Sequence, residues 1–190
     1  MGKRFEVGVG TQRDMLVNQP PQYKHLNVLY SLFAVRVGAD WFPASCWCDF
    51  AGIMLFRWYE AVWRLSQRQT RAARLPFFYT YELWLRRTPK HWWKVNKVER
   101  YVDHCDIVGE ELVIPEEVEA ASITAIRQFL KAALNANQWK EDCTALEALL
   151  NDTAGYLRGL DAGTIPVPRF LTVGSGYKRY HFRGQEGASR

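Results

Sequence analysis

The sequence has no apolar run long enough to cross a membrane. Its most apolar segment, residues 53–65, is interrupted by Arg57, Glu60 and Arg64, whereas a spanning helix needs about 20 largely apolar residues. No apolar run follows Met1, so no secretory signal is expected. Four cysteines in 190 residues are too few for a disulfide scaffold. We therefore expect a cytoplasmic protein with free thiols and no membrane contact.

Motifs for nucleotide binding and catalysis are also missing. Gly8 and Gly10 lack both a third glycine and a following Lys-Ser/Thr pair, so neither phosphate-binding fingerprint is met. The chain contains no nucleophile elbow and no zinc-protease helix motif. His104 and Cys105 are adjacent, and on a strand their side chains would point to opposite faces. No catalytic residue is predicted.

The spacing of the cysteines argues against a metal site. Cys46 and Cys48 are separated by one residue, whereas zinc ligands are typically separated by two to four. His104 and Cys105 could complete a set of four ligands, but adjacent residues rarely both bind one metal. Cysteine is commonly a small buried apolar residue. We predict no metal ligand and no cofactor, and a thiol or zinc enzyme is the least favoured hypothesis.

Charge, by contrast, is abundant and is distributed in blocks. Residues 41–100 contain eleven Lys or Arg and four Asp or Glu, a net charge of +7. Residues 101–161 contain four Lys or Arg and twelve Asp or Glu, a net charge of −8. Residues 162–190 contain five Lys or Arg and one Glu, a net charge of +4. Such asymmetry is typical of a surface that meets a charged macromolecule.

Tryptophan is the other abundant feature. Seven of the eight tryptophans lie in residues 41–100, and only Trp139 lies outside them. Tryptophan is favoured in cores near a surface and in binding hot spots, because it combines a large apolar area with an N–H donor. Most of these residues are interpreted as core, whereas the adjacent Trp92 and Trp93 are candidates for partner contact.

Hydrophobic periodicity predicts an α+β fold, in which a small antiparallel sheet packs against about three helices. The predicted sheet combines the segments 26–37, 77–87 and 92–102, and the predicted helices cover residues 52–74, 115–134 and 142–157. Pro76 is expected to stop the first helix, and Gly109 is interpreted as a turn. We expect a single domain over residues 1–190, with a flexible arm at about 1–24 and a basic tail at about 174–190.

Two basic features are candidate binding surfaces. The predicted helix 52–74 carries arginines at spacings of three and four, which would share one face: Arg57, Arg64, Arg68 and Arg71. A predicted strand over 177–183 interleaves aromatic residues with Lys178, Arg179, His181 and Arg183. Arginine pairs with carboxylates and phosphates, and basic residues among rings suit single-stranded nucleic acid. A solvated helix and a charge-protected edge strand are the alternatives.

Residues 40–58 contain an ordered set of aromatic residues. Asp40-Trp41-Phe42-Pro43 is followed by Trp47-Cys48-Asp49-Phe50, an apolar run and Trp58. This order resembles a pattern in small bacterial proteins of the toxin-immunity type, in which a strand leads to an aromatic-Pro turn, Trp-x-Asp-Phe and a hydrophobic stretch ending in Trp. The resemblance covers about a tenth of the chain. It implies an inhibitor whose partner is a toxin or a defence complex.

Two functional hypotheses follow. The first is a non-enzymatic inhibitor of the immunity or anti-defence kind, which binds and occludes a macromolecular partner. It rests on the missing catalytic motifs, the surplus of Trp and Arg, and the resemblance. The alternative is a small basic nucleic-acid-binding accessory protein, because a basic tract can meet a phosphate backbone as well as an acidic protein.

Overall fold

The structure is a computed structural model that describes residues 5–9, 30–45, 47–77, 80–135, 140–168 and 171. These residues form a mixed α+β fold, as predicted. Its elements are, in chain order, β1 (Phe5–Val9), β2 (Tyr30–Val37), β3 (Asp40–Phe42), β4 (Cys48–Phe50), α1 (Ala51–Ser66), β5 (Ala72–Pro76), β6 (Tyr81–Arg87), β7 (Trp93–Arg100), β8 (Cys105–Val113), α2 (Pro115–Asn135), α3 (Lys140–Asn151) and α4 (Thr153–Ala162).

The strands form two antiparallel sheets. In the first, β2 pairs with β1 along one side and with β3 and β4 along the other. The second has the order β5-β6-β7-β8, so that each strand neighbours the next along the chain. The prediction of one sheet containing the segments 26–37, 77–87 and 92–102 is therefore wrong in its composition. Because β2 finds its partners in strands close to it in sequence, it does not join β6 and β7.

The N-terminal segment also differs from its prediction. Residues 5–9 were expected to belong to a flexible arm, but they form strand β1. Phe5 and Val7 are buried, and the ring of Phe5 stacks on Trp58 of α1 with centroids 5.7 Å apart. The expected arm thus contributes to the core, because alternate apolar residues of β1 are buried and the strand packs against α2 as well as against Trp58. The predicted tail over 174–190 lies outside the described residues.

Helix α2 agrees closely with the helix predicted over residues 115–134. It runs from Pro115 to Asn135, with Glu116 and Glu117 in its first turn, where acidic residues favour the positive end of the helix dipole. Phe129 is fully buried, as its position in the apolar pattern predicts. The side chain of Trp58 donates from Nε1 to Ser122 Oγ at 2.7 Å, and Ser122 Oγ donates to the Val118 carbonyl. These bonds join α1 and α2 inside the core.

The other two helices end elsewhere than the sequence predicts. Helix α1 ends at Ser66, and Arg68 has a φ of 58°, a left-handed conformation that does not continue a helix. Residues 72–76 then pair with β6, which removes them from the predicted helix 52–74. The predicted helix 142–157 is two helices, because Asp152 caps α4 by accepting from the Gly155 N–H at 2.9 Å.

One apolar core includes residues of both sheets and all four helices. Where the sheets meet, aromatic rings contact each other edge to face: Phe42 with Phe77 and with Tyr81, and Trp47 with Tyr81 at 5.3 Å. Edge-to-face pairs of this kind stabilise beyond the area they bury. Lys97 of β7 also reaches the first sheet, since its Nζ lies 3.8 Å from an oxygen of Asp40. The second sheet therefore contacts the first sheet through residues of β6 and β7.

Candidate interaction surface

The predicted arginine face is not a single surface. Arg57 and Arg64 are half-buried on α1, whereas Arg68 and Arg71 are exposed in the connection to β5. This separation follows from the early end of α1. The guanidinium groups of Arg68 and Arg71 can still contact a partner. They do not, however, form one continuous row on a helix with Arg57 and Arg64.

Arg64 has a structural role within the fold. Its Nε donates to Glu60 at 2.9 Å, and its Nη2 donates to both carboxylate oxygens of Asp161 in α4. Partial burial acts to lower the pKa of Arg64, and the two carboxylates outweigh that effect and raise it above its usual value. Arg64 thus ties α4 to α1, and its charge is already paired.

The adjacent tryptophans have different environments. Trp93 begins β7 and is buried, with 3% of its surface exposed, so it belongs to the core rather than to a binding surface. Trp92 is half-buried in the loop before it, and its carbonyl accepts from the Thr88 hydroxyl at 2.9 Å. The prediction that both rings contact a partner is therefore wrong for Trp93, because its position on β7 points it inward beside Val95.

The remaining predicted site residues cannot be placed in the fold. Lys178, Arg179, His181 and Arg183 lie outside the described residues, as does Cys46. Among the residues that are described, no group of three or more His, Cys, Asp or Glu side chains could hold a metal ion. The prediction that the chain binds no metal or cofactor stays a prediction.

Charges that are segregated along the chain are brought together in space. Lys94 of β7 forms an ion pair with Glu110 of β8, although they belong to blocks of opposite charge. His91 and Glu116 lie 2.9 Å apart, which joins the same two blocks at the start of α2. Together with Arg64 and Asp161, these contacts show that the acidic block pairs with part of the basic block. The free basic surface is smaller than the sequence suggests.

Exposed apolar side chains are concentrated in one hairpin. In the described part of the chain, five large apolar residues are exposed, each by at least 46%, namely Tyr101, Val102, Ile107, Val108 and Leu112. All five lie in β8 or in the loop that joins it to β7. We call these five side chains the hairpin surface. A concentration of exposed apolar side chains is typical of an interaction site, whereas single scattered ones are not.

Strand β8 lies at the edge of its sheet. It is nine residues long and pairs with β7 on one side, and no other described strand pairs with its second side. An edge strand leaves backbone N–H and C=O groups available for pairing with another chain. It contains no proline, and its acidic residues are Asp106, Glu110 and Glu111, with Asp103 in the preceding loop. The hairpin surface is therefore bordered by negative charge.

A β-bulge determines which side chains share a face of β8. Ile107 lies opposite Val98 and Gly109 lies opposite Lys97, so Val108 is the extra residue. Leu112 lies opposite Lys94, which shares a face of β7 with Val98. Residues five positions apart normally point to opposite faces of a strand. The bulge instead brings Ile107 and Leu112 to the same face.

Trp84 of β6 lies on the same face of the sheet as Ile107 and Leu112, and its ring contacts other side chains of the sheet. Its Nε1 donates to Glu82, and the guanidinium of Arg74 lies 4.5 Å from its ring centroid. Glu82, although only 5% exposed, also accepts from Arg100 at 2.7 Å. The side chain of Glu82 is satisfied by these two donors. Trp84 is thus held within the sheet by an acid and a cation rather than presented as an open stacking platform.

Sequence reasoning missed most of β8. Gly109 was interpreted as a turn, but it lies within the strand opposite Lys97. A Cβ at this position would come within 3.1 Å of the Lys97 Cδ, so glycine leaves room for the lysine to cross toward Asp40. The β-forming pairs Ile107-Val108 and Leu112-Val113 were the available indications. A glycine and two glutamates separate them, and these residue types are depleted in strands.

The loop before β8 is organised by a histidine. The ring of His104 stacks on Tyr101 with centroids 4.6 Å apart, and its Nδ1 lies 2.7 Å from a carboxylate oxygen of Asp103. Its Nε2 lies 3.8 Å from Asp106. These contacts hold the exposed ring of Tyr101 beside the start of β8. They therefore join the loop part of the hairpin surface to its strand part.

The fold and the hairpin surface define a mixed α+β protein in which the acid-bordered strand β8 pairs with a described strand on one side only. Comparisons with protein families, with curated proteins and with solved structures find no match to this chain. None of the four helices in the described residues has the length and apolarity that a membrane crossing requires.

Proposed function

We propose that this protein is a binding protein that recognises another protein through its hairpin surface and acts by occluding that partner. The concentration of five exposed apolar residues in one hairpin is the observation that carries the proposal. Burying them against a partner would be favoured by the hydrophobic effect, at about 25 cal/mol per Å² of apolar area. An inhibitor of the immunity or anti-defence kind, whose partner is a toxin or defence complex, belongs to this class.

Charge favours a protein over a nucleic acid at this surface. Asp103, Asp106 and Glu110 border the apolar residues and would repel a phosphate backbone. The nearby cations Lys94 and Arg100 are paired with Glu110 and Glu82. Nucleic-acid binding through the residues of 178–183 remains the alternative hypothesis, and those residues lie outside the described part of the chain.

Site-specific photo-crosslinking tests the proposal. A photoreactive amino acid placed at Ile107, in cells that naturally encode the protein, should crosslink one protein reproducibly. The same amino acid at Arg127, which is exposed on α2, serves as the matched control. The crosslinked protein, purified separately, should form a complex of defined stoichiometry that buries about 1,200–2,000 Å². The double substitution Ile107→Ser and Leu112→Ser should weaken that complex at least about tenfold.

Two results would contradict this function. Equal crosslinking from positions 107 and 127 would show that the hairpin surface is not preferred. Binding of labelled DNA or RNA at physiological salt, unaffected by the serine substitutions, would instead favour the nucleic-acid hypothesis. In that case the logarithm of affinity should fall with the logarithm of salt concentration, by about 0.7–0.9 for each phosphate contact.

A further inference from the structure

We propose that β8 accepts an extended segment of the partner as an additional strand, and that this segment alternates apolar and basic side chains. The inference rests on the proposed function, because it specifies how the same surface would bind a protein. It commits to strand addition rather than to a helix or a flat protein surface. Three properties of β8 carry it.

The first property is the backbone of β8. Its second side pairs with no described strand, and it extends over nine residues, which is long for an edge strand. In strand addition, backbone hydrogen bonds provide affinity and alternate side chains provide specificity. A helix laid on the same place would leave the edge N–H and C=O groups unpaired, apart from bonds to water. The edge therefore favours an extended occupant.

The second property is the separation of side chains between the two faces of β8. Ile107 and Leu112 share the outer face, on which Trp84 also lies. Glu110, which is paired with Lys94, is also on this face, whereas Asp106 and Glu111 are on the other one. Side chains of an added strand would alternate between the same two faces. The segment that fits would thus have apolar residues at every second position and basic residues between them.

The third property is a pair of acidic residues at opposed positions of the sheet, one of which, Asp106, also lies 3.8 Å from His104 Nε2. Asp106 and Glu99 are directly opposite each other on β8 and β7. Like charges at opposed positions destabilise a sheet. A lysine or arginine from an added strand, next to Asp106, would relieve this repulsion. A basic segment is consequently favoured over a neutral or acidic one.

A synthetic peptide tests strand addition without the natural partner. The probe is a fluorescein-labelled nine-residue peptide of alternating valine and lysine, titrated with the full chain at about 150 mM salt, where long-range attraction is screened. We expect saturable binding. A peptide with glutamate in place of lysine should bind at least about tenfold more weakly, because it adds acids beside Asp106.

Backbone methylation separates strand addition from contact by side chains alone. The backbone N–H groups of successive residues in a strand point to opposite edges of that strand, so every second residue can bond to the same neighbouring strand. Two further peptides carry N-methyl groups, one on its lysines and one on its valines. Strand addition predicts that one form loses at least about tenfold in affinity and the other stays within about threefold of the parent. Equal affinities of the two forms, or no binding by the parent, would overturn the inference.

Charge substitutions in the protein test the basic character of the segment. Asp106→Lys should weaken binding of the valine–lysine peptide about tenfold, and Glu147→Lys on α3 makes the same charge change away from β8. If both variants lose affinity equally, the attraction is general and the inference is wrong. Failure of the peptide tests together with intact crosslinking at position 107 would reject strand addition and leave the proposed function standing.

Discussion

Strands β2 and β8 have similar lengths, and each contains one leucine and two valines, yet most apolar side chains of β2 are buried and most of those of β8 are exposed. On β2, Phe33, Val35 and Val37 are fully buried against the helices. On β8, Ile107, Val108 and Leu112 are about half exposed. The difference lies in position, since β2 has strands on both sides and β8 has a described strand on one side only. Apolar composition thus indicates a strand, but the neighbours of the strand decide whether its side chains are covered.

The two strands also differ in their acidic residues. The described part of β2 has no Asp or Glu, whereas β8 has three. Charged residues on an edge strand oppose uncontrolled pairing with other chains. On β8 they would restrict pairing to a partner of complementary charge rather than prevent it. Four predictions sharpen this contrast between the core and the edge.

The largest effect is expected in the core, at Phe129. This ring is fully buried in α2, and Phe129→Ala should lower the free energy of unfolding by about 3–5 kcal/mol, because it leaves a cavity as well as losing apolar contacts. Urea denaturation measures the change. A loss below about 1 kcal/mol would show that α2 does not pack as described.

A smaller loss is expected at the hydrogen bond between α1 and α2. Trp58→Phe removes the donor to Ser122 and shrinks a buried side chain, so it should cost about 1–2 kcal/mol. Ser122→Ala should cost a similar amount, and the double variant less than the sum, because both remove one bond. Thermal or urea unfolding of the three variants provides the comparison. Full additivity would indicate that the two side chains do not interact.

At the surface, two of the predicted arginines should behave differently. Arg64→Ala removes the ion pairs to Glu60 and Asp161 and should cost about 1 kcal/mol, the upper range for such pairs. Arg68→Ala should change stability by less than about 0.5 kcal/mol, because its side chain is exposed. Equal effects in chemical denaturation would argue that α4 is not held by Arg64.

The smallest effect on stability is expected on the hairpin surface. Ile107→Ser and Leu112→Ser remove apolar groups that are about half exposed, so the free energy of unfolding should change by less than about 0.5 kcal/mol each. Circular dichroism and denaturation curves test this. A loss comparable to that of Phe129→Ala would mean that these residues support the fold, and the surface would not be available for a partner.

Local patterns were enough to determine the fold class and one helix closely. In α2, Pro115 and the two glutamates mark the start, and apolar spacing identifies Phe129 as buried. The segment 92–102 was recognised as the partner of the strand before it, and these residues form β7 paired to β6. These features depend on residues near one another in sequence, so they can be deduced from sequence alone.

Tertiary contacts decided the candidate site. The end of α1 depends on pairing between β5 and β6, and strand β8 forms because β7 is available to pair with a glycine-containing, acidic segment. The distribution of charge changed most: blocks that are separate along the chain become ion pairs between Lys94 and Glu110 and between Arg64 and Asp161. Composition determined how many charges and rings the protein has. Only the fold decided which of them are covered, because burial and pairing depend on neighbours that are distant in sequence.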